Sequence, residues 1–110
     1  MVVHLVLFRP RADLSTAERT ALIDAFQQAL NAIPSIRRAR IGRRVTHGRG
    51  YEQLMRVDYE YAAILEFDDV GGLKAYLEHP QHDALGARFF ATFEAALMYD
   101  YEVADGLGAI

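Results

Sequence analysis

The sequence predicts an α+β domain of ferredoxin-like topology, a four-stranded antiparallel sheet with helices on one face. Three observations carry that prediction. The elements follow in the order strand, helix, strand, strand, broken helix, strand, an order that folds as a split βαβ pair. Residues Val57 to Phe67 alternate in polarity over eleven positions, the period of a half-buried strand. Each helix start carries a local capping signal.

Val2 to Phe8 is apolar throughout except for His4, which reads as a central strand covered on both sides; Pro10, lacking a donor, ends it. Ser15 and Glu18 form a capping box, and Ile23, Phe26, Leu30 and Ile33 recur at spacings of three and four as the buried stripe of the first helix. Pro34 closes that helix by disfavouring helical geometry before it. Ile36 to His47 reads as an arginine-rich strand anchored by Ile36, Ile41 and Val45, with Gly42 marking a bulge or bend. His47-Gly48-Arg49-Gly50 is turn chemistry.

In the alternating stretch, Val57, Tyr59, Tyr61, Ala63, Leu65 and Phe67 share one face. Asp68-Asp69 caps a second helix with Leu73, Tyr76 and Leu77 as its buried stripe, ending near His79. Pro80 suits the first turn of a further helix that carries Leu85, Phe89, Phe90 and Phe93. In the last strand Leu97, Tyr99, Tyr101 and Val103 alternate with Met98, Asp100 and Glu102. One domain over 2–103 and a loose tail over 104–110 follow.

A chain of 110 residues that is 52% hydrophobic forms one real core and leaves apolar surface over. Helices cover one face of such a sheet, so the aromatics spread along the last two strands predict a second copy stacked on the other face, a homodimer. The absence of cysteine removes disulfides and thiolate metal sites. No apolar run approaches the roughly 20 residues of a membrane helix, and the opening stretch lacks the flanks of a signal peptide, so a cytoplasmic protein without membrane contact is expected. A net charge of -3 argues against nucleic acid as a partner. Arg37, Arg38, Arg40, Arg43, Arg44 and Arg49 nevertheless cluster, and a solvated strand face is the plain reading of them.

Three of the four histidines fall where chemistry is plausible: His4 in the first strand, and His79 and His82 around a helix junction. Imidazole titrates nearest neutral pH, so His82 reads as a general base, with the Tyr76 hydroxyl orienting it or polarising a substrate oxygen. Tyr76 lies six residues earlier, off the same helical face, and meets His82 only if Pro80 turns the chain back. The plain alternatives are that His79 caps a helix end, His82 is a surface residue, His4 is a satisfied core histidine and Tyr76 an ordinary core aromatic. No carboxylate pattern supports a metal site, no cofactor is implied, and His47 reads as exposed.

Val3-His4-Leu5-Val6-Leu7-Phe8, Ile33-Pro34-Ser35-Ile36, Leu65-Glu66-Phe67-Asp68-Asp69, Tyr76-Leu77-Glu78-His79-Pro80-Gln81-His82 and Tyr99-Asp100-Tyr101 together resemble the stress-responsive dimeric α/β-barrel (Dabb) family over residues 2–103. The resemblance implies a homodimer whose two sheets form a barrel-like core, with a pocket between each sheet and its helices. It also implies chemistry of the kind found in a polyketide cyclase of the family, which closes a linear chain by aldol condensation. There a Tyr and the second His of the H-P-x-H run act at the reacting centre, matching Tyr76 and His82. His4 matches a pocket histidine, and Tyr61 stands where that enzyme has another, one imidazole fewer in this chain.

Three functions remain open on this reading. One is a binding protein for a small apolar or aromatic ligand in a pocket lined by His4, Tyr61 and His79. Another is a cofactor-independent cyclase, lyase or monooxygenase-like enzyme using His82 and Tyr76. The third is a non-catalytic interaction dimer with the arginine strand as its contact surface.

Overall fold

The computed structural model describes residues 1–108. Strand β1 is Val2–Pro10, helix α1 Thr16–Ala32, strand β2 Arg38–Arg43, strand β3 Tyr61–Phe67, helix α2 Val70–Glu78, helix α3 Pro80–Thr92 and strand β4 Phe93–Glu102, with a 3-10 turn at Gly50–Leu54. The strands form one antiparallel sheet in the order β2-β3-β1-β4, the ferredoxin-like arrangement. Val2, Val6 and Phe8 of β1 and Ala63, Leu65 and Phe67 of β3 share one core with buried residues of all three helices, so the helices occupy a single face.

On β1 this burial is one-sided. Val2, His4, Val6 and Phe8 are buried beneath the helices, whereas Val3, Leu5 and Leu7 on the other face are half-buried in the single chain. The strand reaches Pro10, where a register shift lets it meet Phe93, which opens β4 and is not helical.

Helix α1 starts as its capping box dictates: Ser15 Oγ accepts from the Glu18 N–H at 3.1 Å, and the Glu18 carboxylate accepts from the Ser15 N–H at 3.2 Å. Its buried side chains are Leu22, Phe26 and Ala29, while Ile23 is turned to the edge and 57% exposed. The same geometry exposes Leu77 beside buried Tyr76 on α2 and Phe90 beside buried Phe89 on α3, because one residue step turns a side chain about 100° round a helix.

Strand β2 is shorter than its apolar pattern predicts. After Arg44, whose N–H still reaches the Glu60 carbonyl, the Glu52 carboxylate accepts from the N–H groups of His47 and Gly48 and draws the chain into a turn. Gly48 supplies the positive φ of 82° this turn needs, and Val45 is left exposed. Gly42 pairs with Ala62 with no register shift, so there is no bulge at it. Strand β3 likewise begins only at Tyr61, since the β2 ladder ends at Arg43, with one further bond from Arg44 to Glu60, and β1 pairs with β3 no further than Phe8 and Tyr61.

Phe89 joins these layers. It is buried, meets Phe26 edge-on at 5.4 Å between ring centroids, and lies 4.4 Å from Phe93 and 5.9 Å from Phe8. Phe89→Ala is therefore expected to lower unfolding free energy by about 3–5 kcal/mol, read from the shift of a urea unfolding midpoint. Among the described residues, no helix is long and apolar enough to cross a membrane. The tail expected over 104–110 extends past the described residues at 109 and 110.

Candidate functional site

The helix-facing side of β1 carries one polar residue among Val2, Val6 and Phe8, and that residue is His4, 6% exposed. Directly opposite it on β4 is Asp100, and facing residues of an antiparallel pair share a face. The His4 Nδ1 lies 2.6 Å from Asp100 Oδ1. An ionised carboxylate only accepts, so Nδ1 is the donor in this pair.

Above this pair sits Tyr76. Helix α2 is set by Asp69, whose carboxylate accepts from the Gly72 N–H at 2.9 Å, and it drives Tyr76 down between His4 and Phe67, at centroid separations of 5.7 and 5.4 Å. Burial, helped by the charge of Asp100, pushes the Tyr76 hydroxyl up to about 12, so it is a neutral donor at any working pH.

The break between α2 and α3 brings in His82. His79 ends α2 and caps α3, its Nδ1 accepting from the Gln81 N–H at 3.1 Å, and Pro80 occupies the first helical position. The chain turns back there, and the His82 ring meets Tyr76 edge-on with centroids 4.7 Å apart. His82 is half-buried, and its Nδ1 is buried with no hydrogen-bond partner among the described residues. Burial, and then the nearby His4, hold its pKa below the ordinary histidine value, against weaker opposing effects of Asp83 and the Leu77 carbonyl. Its neutral, basic form therefore dominates at neutral pH.

The lowered His82 pKa makes folding stability depend on pH. The unfolded chain takes up this proton at a higher pH than the folded one, so stability is full above the ordinary histidine pKa. It declines as pH falls through that value toward the lowered one. A 1H–15N NMR titration is expected to place the His82 midpoint below about 6.5, while a midpoint above that value would contradict the burial described.

The structure thus unites His4, Tyr76 and His82, and adds Asp100. It does not bring His79 or Tyr61 to them: His79 is occupied in capping, and Tyr61 stacks on Phe8 at 5.5 Å near the other end of the strand. Tyr61 instead lines an apolar cleft of about 430 Å³ between α1 and the sheet, with Phe8, Ile23, Ile41 and Phe89. A second cavity of about 560 Å³ lies where the segment after β2 folds beside Leu7, Ala62 and Leu97. Neither is lined by His4, Tyr76 or His82. Phe89 is seven residues beyond His82 on α3, about 10 Å along the axis, so cleft and cluster are neighbours beneath one helix.

His47 lies apart in its exposed turn, bonded to Tyr51 and the Arg49 N–H. Among the described residues no set of three His, Asp or Glu side chains is placed to hold a metal ion. Half of the arginine cluster is paired among the described residues: Arg37 with Asp68 at 2.8 Å, Arg40 with Glu66 at 3.6 Å and Arg44 with Asp58 at 2.7 Å, whereas Arg38, Arg43 and Arg49 form no ion pair. This pairing offsets part of the positive field of the cluster and leaves the rest on Arg38, Arg43 and Arg49.

A family model described as the stress responsive A/B barrel domain matches residues 2–103. The chain belongs to this family. It is 23% identical over 100 residues to olivetolic acid cyclase of Cannabis sativa, covering 91% of this chain and 94% of that protein. Its fold is shared with the hydroxynitrile lyase of Passiflora edulis, at TM-score 0.77 and 20% identity over 96% of this chain and 95% of the lyase. It is shared also with a dimeric ferredoxin-like protein of Thermobifida fusca, at TM-score 0.72 and 22% identity over 93% and 90% of the two chains. Proteins similar to this chain thus include one named as a cyclase and, sharing its fold, one named as a lyase.

Proposed function

We propose that this stress responsive A/B barrel domain binds a small apolar or aromatic carbonyl compound and performs acid–base chemistry on it without a cofactor. One observation carries the reading: the half-buried His82 ring packs edge-to-face with Tyr76, and its buried Nδ1 has no hydrogen-bond partner of normal geometry among the described residues. Buried polar atoms are nearly always bonded, so an orphan nitrogen in a neutral, basic ring is hydrogen-bonding capacity held for something other than the fold.

In the proposed roles, neutral His82 removes a proton next to a carbonyl or from a hydroxyl, and the Tyr76 hydroxyl donates to the oxygen on which charge develops. Asp100 fixes the His4 ring that backs Tyr76, a positioning role that sequence reasoning did not find. The cleft against α1 holds the apolar part of the ligand. A cyclase and a lyase as relatives support such chemistry, and the dimeric relative and the apolar open face of the sheet support a homodimer.

The test is turnover without added metal or cofactor. Two probes are used: a linear aryl or alkyl poly-β-ketone followed by NMR for ring closure and α-proton exchange in D2O, and an aromatic cyanohydrin followed for aldehyde release. Rate enhancement with either that falls by about a hundredfold in Tyr76→Phe supports the reading. Enhancement that is unchanged in both Tyr76→Phe and His82→Ala contradicts it.

A further inference from the structure

The cleft between α1 and β2 has two unusual walls. Ile23 on α1 and Ile41 on β2 both line it, yet they are 57% and 55% exposed. Ile41 faces the helix side of the sheet, since it is opposite buried Ala63. These are large apolar side chains on the inner side of the fold that nothing else among the described residues covers, which is costly at the usual value of burying an isoleucine. Deeper in, Phe8, Phe26 and Phe89 close the space with aromatic rings. A cavity of about 430 Å³ falls within the range of small-ligand sites.

The charged residues that line it have one sign, the nearest acids, Asp58 and Glu60, lining an adjoining depression on the other side of Arg43. Arg19 on α1 and Arg43 at the end of β2 line the cleft, and no Asp or Glu does. Arg43 belongs to the arginine cluster but, unlike Arg37, Arg40 and Arg44, forms no ion pair among the described residues; Arg19 forms none either. Opposite Tyr61 in the register, Arg43 lies on the helix side of the sheet, as Ile41 does.

We propose that this cleft binds an amphipathic carboxylic acid, its apolar body against Ile23, Ile41 and the aromatic rings and its carboxylate held by Arg19 and Arg43. The guanidinium fork matches a carboxylate two bonds at a time, and an unpaired pair beside an apolar cavity selects an anionic head with a greasy tail. This rests on the reading of the cleft as the ligand-holding part of the domain, and it narrows the ligand to acids.

Octanoate and 1-octanol separate the two claims, because they share the tail and differ in charge. Calorimetric titration of the full chain is expected to show octanoate binding at least about tenfold more tightly than octanol. The Arg19→Gln/Arg43→Gln double variant brings octanoate to the level of octanol and leaves octanol as it was. Ile41→Trp, which fills the cleft, removes both. Thermal unfolding confirms that each variant is folded. Equal binding of the two probes, or octanoate binding untouched by the double variant, overturns the carboxylate site while leaving the cleft as a binding site. Octanoate binding that survives Ile41→Trp places the ligand elsewhere and overturns the proposal. Binding of neither probe by the unaltered protein overturns both the carboxylate site and the ligand-holding role of the cleft.

Discussion

His82→Ala is expected to reduce proton-transfer turnover by about 10²- to 10⁴-fold while leaving the unfolding temperature nearly unchanged. The rate loss follows from the chemistry: alanine offers no base, and Tyr76, held neutral up to about 12, cannot replace it near neutral pH. The small stability effect follows from the packing. His82 is only half-buried, and it stands one turn into a helix whose start is secured by His79 and Pro80. Its Nδ1 has no well-formed hydrogen bond among the described residues, so truncation removes a poorly satisfied polar atom and offsets part of the lost contact with Tyr76. Steady-state rates with the probe that turns over, alongside thermal unfolding of the same preparations, check both halves. A large loss of stability with a proportionate loss of rate would mean His82 is a packing residue.

Asp100→Asn separates positioning from direct chemistry. Asparagine keeps the shape but permits the opposite His4 tautomer, with Nδ1 accepting and Nε2 protonated. If His4 is held by Asp100 in one tautomer to support Tyr76, the rate falls and its pH profile moves, whereas the fold, judged by circular dichroism, does not.

The parts of this molecule that are legible in its sequence are those with local causes. Ser15 and Glu18 satisfy each other across one helical turn, Pro34 blocks the geometry before it, and Asp69 and Pro80 open helices with groups only a few residues away. Such signals need no knowledge of the rest of the chain. The turn at Pro80 was enough to anticipate that Tyr76 and His82 could meet, and they do. Asp100 was not legible in the same way. Its alternation on β4 was visible, but its pairing with His4 depends on the register of two strands nearly a hundred residues apart. The length of β2 was hidden for a different reason. Its apolar pattern runs on to Val45, and only the reach of the Glu52 carboxylate back to His47 and Gly48 ends the strand. Ile23 shows the third kind of failure. Its helical spacing is correct, but periodicity cannot say how far the sheet extends beneath a helix, and here the stripe overhangs a cleft.

Leu5→Lys is expected to split the proposed homodimer, raising its dissociation constant by about a thousandfold or more. Leu5 is at the middle of the open face: Ile64 is its neighbour on β3 and Tyr99 its neighbour on β4, with Leu7 and Leu97 one pair further along. A sheet stacked on this face buries Leu5 near the centre, where an unpaired ammonium costs several kcal/mol, and each 1.4 kcal/mol is a factor of ten. A twofold interface meets the same substitution from both sides, so the penalty is counted twice and the two charges also repel. The fold of each chain is spared, because the side chains that hold the helices, Val2, Val6 and Phe8, are on the other face of β1. Light scattering at micromolar concentration reads the mass, and circular dichroism reads the fold. A folded monomer with a lower, concentration-independent unfolding temperature is the expected result, since the partner no longer stabilises the native chain by mass action. A Leu5→Lys protein that remains a dimer would move the interface off this face, and the apolar rows of β1, β3 and β4 would then need another occupant.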